Sequence, residues 1–119
     1  MTYVDGFVIP IPKKNLRSYW VMAKIGCKVW MEHGALEYRE CILDDQSKGM
    51  GKPFGKLAGC KGGETVLYSF IVYKSRAHRD AVTKKVMKDP RIAEMMSGKK
   101  MPFNLKRFGC AGFKSVVEA

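Results

Sequence analysis

Two stretches of this chain are apolar on both faces of an extended backbone. From Thr2 to Ile11, Tyr3, Phe7 and Ile9 fall on one parity and Val4 and Val8 on the other; from Glu64 to Tyr73, Val66, Tyr68, Phe70 and Val72 oppose Leu67 and Ile71. Successive strand residues point to opposite faces of a sheet, so both stretches predict strands covered on both sides. Pro10 and Pro12 are expected to end the first one, because proline cannot donate to the ladder.

Between these strands the period changes. Leu16, Trp20, Ala23, Cys27 and Trp30 recur at helical spacing from Lys13 to His33, with Arg17, Lys24 and Lys28 opposite, which predicts an amphipathic helix. Gly34 follows as a C-terminal cap. Ala35 to Leu43 alternates, with Leu36, Tyr38, Glu40 and Ile42 against Ala35, Glu37, Arg39 and Cys41. Asp44 to Gly63 is glycine- and lysine-rich without a period, and reads as a long loop, mobile or lid-like. Ser75 caps a helix over Arg76 to Lys88 with Ala77, Ala81, Val82 and Val86 inward, and Asp89-Pro90 starts a short one through Met96. A basic linker, Ser97 to Lys106, leads to a last strand from Phe108 to Val117.

The resulting β-α-β-β-α-β order predicts an α+β, ferredoxin-like single domain over residues 1–119, a four-stranded antiparallel sheet with two main helices on one face. At 119 residues one core is what the chain can build. Two helices cover one face of a sheet whose central strands are apolar on both. A large exposed apolar patch is rare on a monomer, so a second copy is expected to supply the missing layer in a two-fold, sheet-to-sheet homodimer.

No apolar run approaches the roughly 20 residues that span a bilayer, so no membrane partner is expected. The opening Met1-Thr2-Tyr3-Val4-Asp5 lacks a basic leader. Cys27, Cys41, Cys60 and Cys110 form no C-x-x-C pair, so reduced thiols and a cytoplasmic location are expected. His33 and His78 are isolated from each other and from close cysteines, so neither a metal site nor a cofactor is expected. The charge is +11, from 22 basic against 11 acidic residues. Most of the cations are scattered lysines, which read as solvated faces, whereas nucleic-acid readers favour arginine and clustered aromatics; nucleic-acid binding is not expected.

The candidate site residues follow from this frame. Asp5 sits mid-strand in a central strand, where an unpaired carboxylate is costly; it either meets a partner such as Arg39, Ser69 or Lys114 or faces a wet pocket. Glu37 and Arg39 share one face of the second strand and pair across or along it. His78 is a further candidate for ligand orientation or proton transfer. Ser75, Arg76 and Arg79 at a helix start form a candidate anion site. Glu32 and Glu40 are expected at the surface. "GMGKPFGK" (Gly49 to Lys56) lacks P-loop spacing, and "KRFGCAGF" (Lys106 to Phe113) falls on the wrong strand for an RNA-recognition motif.

The segments Tyr3 to Leu16, Val29 to Asp45, Val72 to Val82, Val86 to Ile92 and Met101 to Phe113 closely resemble the YbaA-like family of small bacterial proteins of unknown function, nearly end to end. The chain departs from that pattern at Asn104, where aspartate is usual. The resemblance implies a ferredoxin-like fold of the dimeric α/β-barrel superfamily and transfers no catalytic residue. Relatives in that superfamily include cofactor-free monooxygenases and isomerases. The expectation is therefore a cytosolic homodimer that binds a small organic molecule through Asp5, Glu37, Arg39 and His78, with cofactor-independent monooxygenase- or isomerase-like chemistry. The alternatives are a non-catalytic binding or stress-associated interaction protein and, more weakly, an anion or nucleic-acid binder.

Overall fold

A computed structural model describes residues 1–97 and 100–119. Strand β1 (Tyr3–Pro12) leads through a 3-10 turn (Lys13–Asn15) into helix α1 (Leu16–Glu32). Strand β2 (Glu37–Ile42), a single turn α2 (Phe54–Leu57) and β3 (Glu64–Tyr73) follow, then α3 (Arg76–Met87), α4 (Pro90–Met96) and β4 (Gly109–Lys114). The protein is α+β. Its four strands form one sheet in the order β2-β3-β1-β4, each neighbouring pair antiparallel.

The local signals that set the helix ends are those of the sequence. Gly34 takes φ 112°, a left-handed conformation that glycine tolerates without a Cβ penalty. The Ser75 hydroxyl accepts from the His78 N–H, and the Asp89 carboxylate accepts from the Arg91 N–H ahead of Pro90. One expectation fails in part at β1: Pro10 does not end the strand, which stops at Pro12. The strand continues through Pro10 to Pro12 opposite Glu64, whereas β4 leaves it at Val8. The two prolines share a parity, so their missing N–H groups can both face the side that β4 has vacated and cost no ladder bond.

Helices α1, α3 and α4 lie on one face of the sheet. Odd-numbered residues of β1 and β3 (Ile9, Ile11, Leu67, Ile71, Tyr73) join helical side chains in two buried clusters. One gathers Val29, Val82, Val86 and Ile92 from the helices; the other gathers Tyr19 and Ala23, and half-buried Phe7 touches both. The molecule is a slab, 40 × 39 × 20 Å in Cα extent, about the depth of one sheet and one helix layer. On the opposite face Val4, Val8, Phe70 and Val72 are half-buried, and Tyr68 and Phe113 are 48% and 58% exposed.

Helix rotation departs from the apolar spacing in both long helices. α1 buries Tyr19, Ala23, Gly26 and Val29, a line of small residues and one tyrosine beside the expected Leu16-Trp20-Cys27 line. In α3 Val82 and Val86 are buried but Ala77 and Ala81 are exposed. The inward stripe of α3 begins with the half-buried polar residues His78 and Arg79, which an apolar count does not see. The segment from Asp44 to Gly63 is not uniformly irregular: α2 lies within it, and Phe54 stacks edge-on against Tyr68 with ring centroids 6.2 Å apart. It therefore covers the β3 end of the second face, where Val66 is 1% exposed. Within the linker expected over Ser97–Lys106, Gly98 and Lys99 lie outside the described residues.

Candidate functional site

The two core clusters are linked through Phe7. Between them, enclosed by the helix-facing side of the sheet, α1, α3, α4 and the segment after α4, lies a cavity of about 410 Å³, partly open to solvent. Openings of similar or larger volume lie elsewhere on the molecule; this one is set apart by its predominantly apolar lining. Phe7, Ile9, Trp30, Ile71, Phe103 and Phe108 give it apolar walls, and Met22, Met87, Met95, Met96 and Met101 complete them. Unbranched thioethers adapt to irregular shapes and pack well against aromatic rings.

Polar groups enter this cavity at two places. At one, Glu40 of β2 accepts hydrogen bonds from the Tyr19 hydroxyl of α1 (2.7 Å to Oε1) and the Tyr38 hydroxyl (2.7 Å to Oε2). Glu40 shares a face with Tyr38, two residues away, and lies opposite Ser69, which is 5% exposed. Burial, followed by the nearby Glu40 charge, raises both phenol pKa values well above the ordinary range. Both therefore remain donors at any physiological pH. Gly26 makes the arrangement possible, since a Cβ there would stand 3.0 Å from the Tyr38 hydroxyl. The expectation that Glu40 sits on the surface is thus wrong. Alternation had already put it beside Tyr38, but which face the helices cover is decided only in three dimensions.

The second place is Asp5, opposite Ile71 on β3 and Gly112 on β4. Asp5 lines the cavity, whose walls are mostly apolar, and its carboxylate accepts a 2.6 Å hydrogen bond from Arg79 Nη1 of α3, a different partner from the expected Arg39, Ser69 or Lys114. Arg79 also donates from Nε to Asp80 (2.7 Å) and lies over the Tyr3 ring, 5.0 Å from its centroid. Burial raises the Asp5 pKa, outweighing the opposing pull of Arg79. Beside Asp5 stands the Tyr73 hydroxyl, whose pKa is pushed up to about 12 by burial first and by the Asp5 charge second. Asp5, Trp30 and Thr83 surround that hydroxyl. Among the described residues, however, neither it nor the Trp30 indole N–H completes a hydrogen bond.

Of the other predicted residues, Arg79 joins this arrangement through Asp5 and Arg39 is among the residues lining the cavity; the rest lie apart from it. Arg39 Nε pairs with Glu37 Oε1 at 2.7 Å, the two side chains 64% and 44% exposed; strand alternation points them to the face away from the helices. His78 accepts the Lys74 N–H at Nδ1 (2.9 Å) and packs edge-on against Tyr73, so it braces the α3 entry turn. Ser75 is occupied as the cap of α3, Arg79 is committed to two carboxylates, and Arg76 is exposed. His33 Nε2 lies 2.8 Å from Asp89 Oδ2, tying the end of α1 to the start of α4. The cysteines are all free. Among the described residues no group of three or more His, Cys, Asp or Glu is placed to hold a metal, and no helix is long and apolar enough to cross a membrane.

Tyr19, Tyr38, Trp30 and Tyr73 were absent from the sequence-based candidates. Their rings belong to the apolar pattern, and only their polar tips carry the signal. The chain is 37% identical over 118 residues to the uncharacterized protein YbaA of Escherichia coli strain K12, and equally to that of Shigella flexneri, with 99% of each chain covered. The de novo designed protein Foldit4 aligns with 97% of this chain and 99% of its own at 6% identity, with a TM-score of 0.47. The family model described as "Protein of unknown function (DUF1428)" matches residues 2–105. By that match and by the end-to-end identity with YbaA, the chain belongs to the DUF1428 family.

Proposed function

We propose that the protein binds a small, largely apolar organic molecule in the cavity between its sheet and its helices. One observation carries this: a space of about 410 Å³, within the roughly 300–1,000 Å³ typical of ligand pockets, lies between the core clusters and combines apolar walls with a few inward polar groups. Asp5, with its pKa raised, is the group placed to exchange a proton with such a molecule. That is the step a cofactor-independent isomerase or monooxygenase would need. A non-catalytic carrier would use the same walls without it. The test is a thermal-shift screen of small neutral aromatics against the wild type and Ala23→Leu, which extends a side chain from α1 into the space. Ligands should raise the melting temperature of the wild type and leave the variant unmoved. Equal shifts in both proteins would place binding elsewhere.

The assembly belongs to the same proposal. The strand order β2-β3-β1-β4 with the main helices on one face fits the ferredoxin-like arrangement, and its other face bears Tyr68, Phe70, Val72 and Phe113. The Glu37–Arg39 pair lies on that face and can be matched against its own copy across a two-fold axis. A second copy of the chain would cover it, giving a homodimer of the dimeric α/β-barrel kind. Sedimentation at micromolar concentration should give twice the 13.4 kDa chain mass; a stable monomer would refute the dimer and leave the cavity reading intact. Free cysteines accord with a reducing, cytoplasmic setting.

A further inference from the structure

The two polar places in the cavity wall differ in charge balance. Asp5 has an arginine against it, whereas Glu40 has the Tyr19 and Tyr38 hydroxyls, which stay protonated and therefore neutral. Of the carboxylates that are half-buried or buried, Asp5, Glu37, Glu64 and Asp89 each pair with an arginine. Glu40 is half-buried too, and it joins no salt bridge among the described residues. The chain is not short of cations, with 22 basic against 11 acidic residues. Lys24 lines a separate groove between α1 and β2 that Glu40 also reaches, and still the two are unpaired. Neutral donors ease the burial of a carboxylate without cancelling its charge. What this end lacks is a cation.

The surrounding wall fits one. An ionised carboxylate offers about four lone-pair sites, and the two phenols occupy one on each oxygen, so further N–H donors can be accepted. Both phenolic hydrogens are turned to Glu40 and the Ser69 hydroxyl stands beside Tyr19; this end mostly accepts. An anion would meet the Glu40 charge with nothing to offset it. Arg39 reaches the lining, but its guanidinium is held by Glu37, and Arg79 is shared between Asp5 and Asp80. Ring faces crowd the same place, with Trp30 at 6.3 Å from Tyr38 and Phe103 at 5.8 Å from Tyr19 between centroids. Such faces attract a cation, and the thioethers beyond them accommodate apolar bulk.

We propose that the cavity recognises an amphipathic organic cation, an aryl-bearing amine in its ammonium form, whose N–H groups bond Glu40 while its ring lies among the aromatic and methionine side chains. This rests on the small-molecule reading above and adds the ligand class to it.

Three probes of one shape test it by calorimetry on the full chain: 2-naphthylmethylamine, 2-naphthylmethanol and 2-naphthoate. The titrations are run at neutral pH in physiological salt, which screens the net charge of the chain beyond about 8 Å. The ammonium should bind about tenfold more tightly than the alcohol, the difference between a charge-assisted and a neutral hydrogen bond, and the carboxylate should bind most weakly. Alcohol and ammonium should compete for one site. Glu40→Gln, which keeps the shape of the side chain, should reduce the ammonium preference to about twofold or less and leave the affinity for the alcohol unchanged. Tyr19→Phe frees one oxygen of Glu40 and keeps its charge, so it should preserve the preference; it carries the test if Glu40→Gln does not fold. Equal affinity for ammonium and alcohol would overturn the cation assignment while leaving cavity binding standing. So would tightest binding of the carboxylate, or a preference that survives Glu40→Gln or disappears in Tyr19→Phe. Simultaneous binding of ammonium and alcohol would overturn it as well, by putting the cation in the groove outside. If none of the three binds the folded wild type, the cavity-binding proposal falls together with it.

Discussion

Glu64 and Asp5 are both β-strand carboxylates held by an arginine at close range, and their acidities move in opposite directions. Glu64, at the start of β3, takes two hydrogen bonds from Arg107, Nη1 to Oε2 and Nη2 to Oε1, both at 2.7 Å, and a third from the Lys61 N–H. Its pKa falls from 4.5 to about 2, Arg107 being the first cause and Lys61 the second. Asp5 receives one 2.6 Å bond, from an arginine that also serves Asp80, and faces an apolar cavity. Desolvation wins there and its pKa rises. Distance alone therefore does not decide whether an ion pair is satisfied. The number of donors and the wall behind the carboxylate do. One region is a finished clasp between β3 and the segment before β4, and the other is a site with unmet demand.

The largest test removes the clasp. Arg107→Met should be the most destabilising change in urea denaturation at neutral pH, because it removes two of the three hydrogen bonds held by the Glu64 carboxylate. It should also change the acid limb. With a folded pKa near 2 and an unfolded value of 4.5, the Glu64 contribution is complete above pH 4.5 and is lost as pH falls toward 2; the variant should lose that slope. A cost under about 1 kcal/mol would reduce the clasp to an ordinary surface pair.

Asp5→Asn should cost less, about 1 kcal/mol, since the loss of the Arg79 bond is offset by relief of desolvation and Arg79 retains Asp80. The pH dependence has the opposite sign from that of Glu64. A carboxyl whose folded pKa is raised stabilises the fold in its protonated form, and that contribution is lost as pH rises through the raised value. The wild type should therefore show a shallow fall in stability with rising pH, above the ordinary aspartate value of 3.8, that Asp5→Asn lacks. A loss as large as that of Arg107→Met would mean that Asp5 is as well satisfied as Glu64.

What could be read from the sequence divides along the same line. Ser75, Asp89-Pro90 and Gly34 announce their roles locally, because a cap is completed within three residues. The two-sided apolar strands followed from parity alone. Asp5 was suspect because a carboxylate in a central strand is expensive wherever it points, but its partner, Arg79, is 74 residues away. Arg79 was taken for an anion-binding residue of the α3 start because nothing in "KSRAHRD" indicates which arginine turns inward. Glu40 was misjudged for a related reason: its donor Tyr19 comes from α1, and a phenol counts as apolar in a periodicity. Trp30 and Tyr73 left no trace at all, since an unmet hydrogen bond is a property of every neighbour at once.

A smaller effect tests whether the Glu40 end is as complete as the clasp. Gly26→Ala in the interior of α1 should by helix propensity gain about 1 kcal/mol. The new methyl would stand 3.0 Å from the Tyr38 hydroxyl, and displacing that hydroxyl takes one of the two donors from Glu40, worth about the same. The net change in unfolding free energy should stay within about 0.5 kcal/mol of zero. The full helix-propensity gain would show that the Tyr38–Glu40 bond contributes nothing to stability.

Tyr73→Phe should give the smallest change, with the opposite sign. At a satisfied tyrosine, removing the hydroxyl discards a hydrogen bond and destabilises. At Tyr73 it discards a buried polar atom that completes none, so the ligand-free variant should be more stable than wild type by up to about 1 kcal/mol. For a domain of this size that corresponds to a rise of roughly 4 °C in melting temperature. Tyr19→Phe supplies the control, since it takes a 2.7 Å bond from Glu40 and should lower stability. If Tyr73→Phe instead lowers stability as Tyr19→Phe does, its hydroxyl has a partner in the folded protein, and the Asp5 carboxylate is an acceptor among its neighbours. The Asp5 end would then be closed on itself, and the contrast with the Arg107 clasp would be one of degree.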